Sequence, residues 1–198
     1  MKAVKVVLLL GFMLNFLLSA VSFAEEKILF SYEDGTTQGW EIPDWALEKE
    51  DHVAEALEIS EKYALDEKKS LEIITNFPGG RWTGVYIEIQ EYFDWTPYGA
   101  ISVPIYLPAD APEGLKAKII LTVGDSWEWV EMSRAIPLVP GKWTVITADL
   151  KPGSADWKKA VNSDAFRQDV RKFGIRIESN NKPAYKGSIY IDKISLNE

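Results

Sequence analysis

The alternation of apolar and polar residues is the feature that most constrains how this chain can fold. Successive side chains of an extended strand point to opposite faces, so a period of two indicates strands buried on one face. Ten segments show this pattern or a short apolar run: residues 28–30, 53–59, 70–77, 85–89, 101–107, 117–123, 127–134, 143–150, 173–177 and 189–196. The chain is therefore predicted to consist mainly of short strands.

Glycine and proline turns separate these segments, for example at Asp34-Gly35 and Pro140-Gly141. Regular short strands with such turns are typical of antiparallel sandwiches and barrels. We expect an all-β fold, an antiparallel β-sandwich of the jelly-roll type with about ten strands. One short helix is predicted at residues 163–172, with Ser163 as its N-cap and Gly174 ending it.

Residues 1–24 have the pattern of a secretory signal peptide. Lys2 and Lys5 precede an apolar run at residues 6–18, and Ser22-Phe23-Ala24 provides small residues for cleavage before Glu25. The apolar run is shorter than the ~20 residues that span a bilayer, although an uncleaved anchor is the alternative. We expect a secreted, extracellular protein whose residues 25–198 form one domain, with no membrane association after cleavage.

Composition excludes several classes of function. The 198 residues carry a net charge of −8, which argues against nucleic acid and anionic lipid as partners. There is no cysteine, so disulfides, thiol catalysis and cysteine-bound zinc are excluded. The single histidine, His52, is expected on the surface, and it makes a multi-histidine metal site improbable. A monomer is expected.

The eight tryptophans are the positive signal of the composition. Strand parity predicts that Trp127, Trp129 and Glu131 share an outward face while Val130 and Met132 face the core. The same argument turns further aromatic and polar side chains outward or places them in nearby loops: Trp45, Trp82, Tyr86, Glu88, Gln90 and Arg176. Exposed indoles beside polar groups suit carbohydrate, because the apolar face of a pyranose can stack on a ring.

The other tryptophans have more ordinary expected roles. Trp143 begins a strand and is expected in the core, and Trp40 is expected in the core or at its rim. Trp95 and Trp157 are expected to cover loops. All of these assignments depend on register, because a slip of one residue exchanges the two faces of a strand.

Five segments in order carry a resemblance to a known group: residues 30–40 (FSYEDGTTQGW), 69–73 (KSLEI), 136–144 (IPLVPGKWT), 173–177 (FGIRI) and 188–194 (SIYIDKI). The chain resembles the non-catalytic β-sandwich carbohydrate-binding modules of plant-polysaccharide hydrolases, and within them the mannan-binding modules of family 27. The resemblance implies three binding tryptophans, at Trp45, Trp82 and Trp129 or Trp127. Families 4, 11, 22 and 30 share the sandwich.

The resemblance also implies one structural calcium ion near the first and last strands. Calcium takes several oxygen ligands from carboxylates and carbonyls. The matching positions are Glu33 or Asp34 and the late Asp192, with Ser70 and the carbonyls of residues 68–70 as further partners.

The predicted function is binding of β-linked glycan chains, β-mannan first and β-glucan second, without catalysis. One alternative is a jelly-roll glycoside hydrolase that uses Glu88 and Glu131, which share the outward face. Another is a structural or cell-surface interaction module that binds no glycan.

Overall fold

The computed structural model describes residues 26–158, 163–179 and 183–198. These residues form twelve strands and two four-residue helices. In chain order they are β1 Glu26–Phe30, α1 Asp44–Leu47, β2 Ala54–Ser60, β3 Ser70–Pro78, β4 Gly84–Ile89, β5 Ala100–Leu107, β6 Lys116–Val123, β7 Glu128–Glu131, β8 Ile136–Pro137, β9 Lys142–Asp149, α2 Ala165–Gln168, β10 Val170–Glu178, β11 Ala184–Ile191 and β12 Ile194–Asn197. Neither helix of this described part is long and apolar enough to span a bilayer.

The strands form two antiparallel sheets. The large sheet has the order β1-β12-β5-β11-β3-β2, and β9 pairs with the other edge of β5. The small sheet has the order β4-β10-β6-β7, and β8 pairs with β6. This arrangement confirms the predicted antiparallel β-sandwich.

The core lies between the two sheets. Ile73 and Ile105 of the large sheet and Ile87, Ile119 and Ile175 of the small sheet are at most 1% exposed. Each belongs to the apolar set that the alternation predicted. Burial of apolar surface contributes about 25 cal/mol per Å², so the side chains packed between the two sheets stabilise the fold.

The predicted helix at residues 163–172 is largely wrong. α2 spans only Ala165–Gln168 and follows Asp164 instead of Ser163, while β10 begins at Val170. Gly174, the expected helix end, lies in the middle of that strand. The alternation that continues through Ile177 prevails over the local helix signal, because the strand pairs on both of its edges.

Two other differences concern strand number and α1. The last predicted strand is divided by Asp192 and Lys193, where Lys193 adopts a positive φ of 47°. The two-residue strand β8 and helix α1 were not predicted.

The predicted signal peptide at residues 1–24 lies outside the described residues.

The tryptophans outside the candidate site differ partly from expectation. Trp40 is in the core, where its ring meets Phe173 edge to face with a centroid distance of 5.1 Å. Trp95 is also buried in the core, although it was expected to cover a loop. The prediction for Trp143, which was expected in the core, is wrong in the opposite sense. Ile146 and Ala148 of the same strand face the core, so Trp143 has the outward parity and packs against Tyr106.

Candidate functional site

The outer face of the small sheet carries an open cleft of about 240 Å³. Its walls come from α1, the loop that follows it, the loop before β4 and the three strands β4, β7 and β10. The lining residues are Trp45, Ala46, Lys49, Asp51, His52, Trp82, Gly84, Val85, Tyr86, Trp129 and Arg176. Five of the nine predicted carbohydrate contacts, Trp45, Trp82, Tyr86, Trp129 and Arg176, are thus brought together in one place.

Three rings form an aromatic cluster at the centre of the cleft: Trp45, Tyr86 and Trp129. Tyr86 and Trp129 stack with centroids 5.5 Å apart and an interplanar angle of 29°. Trp45 lies 4.9 Å from Tyr86 and meets Trp129 edge to face at 6.4 Å. Tyr86 is only 5% exposed, whereas Trp45 and Trp129 remain 41% and 40% exposed. The tyrosine therefore supports two indoles that are open to a ligand.

Helix α1 reaches the cleft because the segment before it pairs with the edge of β4. Glu41 and Glu88 exchange two backbone hydrogen bonds, of 2.9 and 3.0 Å. Pro43 then starts α1, as its carbonyl accepts from the amide of Ala46 at 2.8 Å, and Ala46 is buried. This docking places Trp45 above Tyr86. The sequence pattern predicted only that Trp45 lies in a loop. Its position over Tyr86 depends on the pairing of Glu41 with Glu88, which no local pattern indicates.

Trp82 covers the beginning of β4. A Cβ built on Gly84 would lie 3.4 Å from Trp82 Cη2, so the indole rests on this glycine. The loop that carries it is fixed to the segment after α1, because Arg81 donates to the carbonyl of Glu50 at 3.1 Å. Trp82 is 36% exposed and supplies a third open indole.

Arg176 lies in the middle of the small sheet and is held by acidic neighbours. Its guanidinium donates to Glu131 Oε2 at 2.8 Å and lies 3.4 Å from Glu178. Burial opposes ionisation of Glu131, but a hydrogen bond from Lys158 and the charges of Arg176 and Lys118 prevail and lower its pKa. Glu131 therefore orients Arg176 toward the cleft, which Glu131 itself does not line.

Glu88 is buried, although it was predicted to contact the ligand. It is 2% exposed, accepts from Tyr86 at 3.0 Å and pairs with Lys172 at 2.6 Å. Burial and the charge of Glu88 raise the pKa of Tyr86, which keeps the phenol a neutral donor. Glu88 thus acts by fixing the ring beneath the two indoles.

Glu88 and Glu131, the pair considered for a glycosidase, lie in separate parts of the outer face. Their backbones lie in one row of the sheet, through Gly174 and Ile120, with Cα atoms three strand spacings or about 14 Å apart. Their carboxylates bind Lys172 and Arg176, which are four residues apart on β10. Glycosidases place the two carboxyls about 5–9.5 Å apart around one bond.

Trp127 and Gln90 lie outside the cleft lining. Trp127 precedes β7 in a turn, with a positive φ of 54°, so it does not share the strand face with Trp129 as predicted. Its ring lies under the guanidinium of Arg171 at 5.4 Å. Gln90 is exposed just after β4.

Three polar residues of the cleft were missed by the sequence argument: Lys49, Asp51 and His52. His52 was expected to be a simple surface residue, but it is half-buried and forms an isolated bridge with Gly84. Burial lowers the pKa of its imidazole, partly opposed by the charge of Asp51. Only the pairing of the segment after α1 with β4 reveals these positions.

The predicted calcium residues lie around one loop, residues 61–69. Glu33 accepts from the amides of Lys68 and Lys69 at 3.0 and 2.7 Å, and Ser70 donates to the carbonyl of Tyr63 at 2.5 Å. Asp192 is fully buried and accepts from amides of the same loop at 2.7 and 3.0 Å. Burial raises the pKa of Asp192 despite these bonds.

These contacts fit a cation only in part. The donor chemistry is carboxylate and hydroxyl oxygen, as calcium prefers. Backbone amides already donate hydrogen bonds to both carboxylate oxygens of Asp192. The carboxylate of Asp34 accepts hydrogen bonds from Thr36 and Gln38 within its own turn. Within the described ranges, no three Asp, Glu or His side chains converge as a metal site.

The fold is that of the β-sandwich carbohydrate-binding modules, and the similarity extends over most of the chain. No protein-family model matches the sequence, and no curated protein sequence is significantly similar.

Similar solved structures include CBM27-1 of Caldicellulosiruptor saccharolyticus in complex with mannohexaose. It has a TM-score of 0.60 and 19% identity, over 87% of this chain and 96% of that one. A family 28 module specific for non-crystalline cellulose gives 0.60 and 15%, over 84% and 91%. The family 11 module of Clostridium thermocellum, in complex with a β-1,3-1,4-mixed-linked tetrasaccharide, gives 0.52 and 17%, over 86% and 94%.

Proposed function

We propose that this protein is a non-catalytic module that binds β-linked glycan chains in the cleft, β-mannan first and β-glucan second. The observation that carries the proposal is the set of open indoles, Trp45, Trp82 and Trp129, around one cleft. Exposed aromatic surface on this scale needs a partner. Solved proteins of the same fold bind mannohexaose and a mixed-linked glucan tetrasaccharide, which supports this class of ligand.

The chemistry of the cleft matches a neutral sugar. An indole face can cover the apolar C–H face of a pyranose, and the negative ring face attracts the polarised C–H bonds. Arg176, Asp51 and His52 provide hydrogen-bond donors and acceptors for hydroxyl groups at the rim. Arg176 and His52 are both partly buried, so little conformational freedom is lost when a ligand binds.

Affinity electrophoresis and calorimetry with soluble β-mannan and β-glucan test the proposal. Trp129→Ala is expected to weaken binding by about 1–3 kcal/mol, the range of interface hot spots. Trp143→Ala, which removes an indole on the large sheet, is the matched control and should bind as the wild type does. Equal affinities of Trp129→Ala and the wild type contradict the proposed cleft.

The same experiment separates the alternative functions. A glycoside hydrolase releases reducing ends from these polymers, which we do not expect because Glu88 and Glu131 are each neutralised by cations. A structural interaction module shows neither retardation by glycan nor sensitivity to Trp129→Ala.

We also propose export, on the sequence pattern of residues 1–24, and a single structural calcium ion, on the resemblance to the carbohydrate-binding modules. Export is supported by residues 1–24, and the mass of the exported protein should correspond to a chain that starts at Glu25.

The calcium ion is supported by the oxygen-bearing side chains of Glu33, Ser70 and Asp192, each of which contacts residues of the loop 61–69. A chelator should lower the melting temperature, and added calcium should restore it. An unchanged melting temperature overturns the calcium proposal.

A further inference from the structure

A β-bulge in β10 turns two neighbouring cations to the outer face of the small sheet. The pairing with β6 shifts register between Val170 and Lys172. Val170 and Phe173 are both fully buried, so the two residues between them, Arg171 and Lys172, point away from the core. Bulges commonly re-aim side chains beside binding sites.

Arg171 contacts two exposed rings. Its guanidinium carbon lies 5.5 Å from the centroid of Tyr92 and 5.4 Å from that of Trp127, within the range of cation–π contacts. Asp169 accepts from Arg171 at 2.9 and 3.1 Å, and Asp125 pairs with it as well. The guanidinium is thereby fixed, while Tyr92 and Trp127 remain 65% and 42% exposed.

These residues lie on the same side of the sheet as the cleft. Phe93 pairs with Val170 and packs against the core, and the preceding residue, Tyr92, meets the outward-facing Arg171. Tyr92 follows Tyr86 by six residues, and six residues of extended chain span at most about 21 Å, which limits the separation of the two tyrosines. Lys172, paired with Glu88, lies between the cleft and Arg171 on this face.

We propose that Tyr92, Trp127 and Arg171 form a second aromatic area that contacts distal sugar units of a glycan chain already held in the cleft. This inference rests on the proposed function. The rings offer apolar faces for further pyranose units, and the fixed Arg171–Asp169 pair offers donors and acceptors for their hydroxyls. The occupant is the continuation of the same glycan chain, because the second aromatic area lies on the face of the sheet that carries the cleft.

The test is calorimetry with a short and a long ligand, mannotriose and mannohexaose, with cellotriose and cellohexaose in parallel. Tyr92→Ser removes one ring. Trp127→Asn removes the other while asparagine tolerates the positive φ at this position. Each variant should weaken hexaose binding about fivefold and leave triose binding unchanged. Trp129→Ala should weaken binding of both lengths.

The outcomes separate the two proposals. If Tyr92→Ser and Trp127→Asn bind the hexaoses as tightly as the wild type, while Trp129→Ala does not, the second area is wrong and the cleft stands. If Tyr92→Ser and Trp127→Asn weaken the binding of trioses and hexaoses equally, the effect does not come from contact with distal sugar units, and the inference is also overturned. If the wild type binds none of the four sugars, the proposed function fails.

Discussion

Gly174 of β10 lies beneath the phenol ring of Tyr86. A Cβ at residue 174 would come within 2.7 Å of Tyr86 Cζ, closer than real Cβ contacts allow. The ring that supports Trp45 and Trp129 therefore needs a glycine on the neighbouring strand β10, because any side chain there would occupy the space of the ring.

Gly174→Ala should displace Tyr86 and disorganise the aromatic cluster. We expect a loss of stability of about 1–3 kcal/mol, as for overpacked sites, together with weaker glycan binding. Denaturant unfolding and calorimetry measure the two effects. Gly187→Ala is the matched control, because its Cβ would lie 2.7 Å from Tyr185 Cζ on the large sheet. It should lose stability and keep its affinity; equal losses of affinity in both variants contradict a specific role for Gly174.

Lys172→Met should destabilise the fold by leaving the Glu88 carboxylate buried without its cation. Removing one partner of a buried pair costs about 3–5 kcal/mol, and because Lys172 is partly exposed we expect about 2 kcal/mol. The double variant Lys172→Met with Glu88→Gln should recover part of this loss. Chemical denaturation of the three variants measures it, and a double variant as unstable as the sum of the single ones would refute the coupling.

Stability should fall in acid partly through Glu131. Its folded-state pKa is lowered, whereas the unfolded value is about 4.3. The unfolded chain therefore binds more protons, and the stabilisation present above this pH is lost as the pH falls through the folded pKa. Thermal unfolding between pH 7 and about pH 3 should show a shallower decline for Glu131→Gln than for the wild type. Parallel curves would show that Glu131 makes no such contribution.

The pKa of His52 should lie below the ordinary histidine value of about 6.5. Burial lowers its pKa, so the folded state disfavours protonation and stability decreases as the pH falls through the unfolded value of about 6.5. His52 is the single histidine, so its imidazole protons give one isolated NMR titration. A midpoint at or above 6.5 contradicts this prediction. Addition of β-mannan should shift the signal, because His52 lines the cleft.

Much of the fold was predictable because burial on one face leaves a direct trace in the sequence. Val85, Ile87 and Ile89 alternate with polar or amphipathic residues, and all three are buried as predicted. Parity also placed Tyr86 and Trp129 on the outer face correctly. Parity failed for Trp127, where a turn with positive φ replaces the strand. The helix-capping signal, not parity, gave the wrong extent for α2.

The cleft itself was only partly predictable. Parity along a strand predicts the face to which a side chain points, but not whether neighbouring side chains cover it. Glu88 points outward as expected and is nevertheless covered, because Tyr86 and Lys172 close over it. His52 entered the site through a bridge to Gly84 that spans more than thirty residues of sequence.

The amino-acid order by itself determined the β-sandwich class, most core positions and the surplus of aromatic side chains, because these depend on alternation along single strands. Tertiary structure alone decided which rings meet. Pairing of Glu41 with Glu88 placed Trp45 above Tyr86, the bulge after Val170 turned Arg171 outward, and the absence of a side chain at Gly174 left space for the ring. Each of these three arrangements depends on contacts between segments that are distant in the sequence. The free energies of such contacts cannot be derived from the pattern of a single segment.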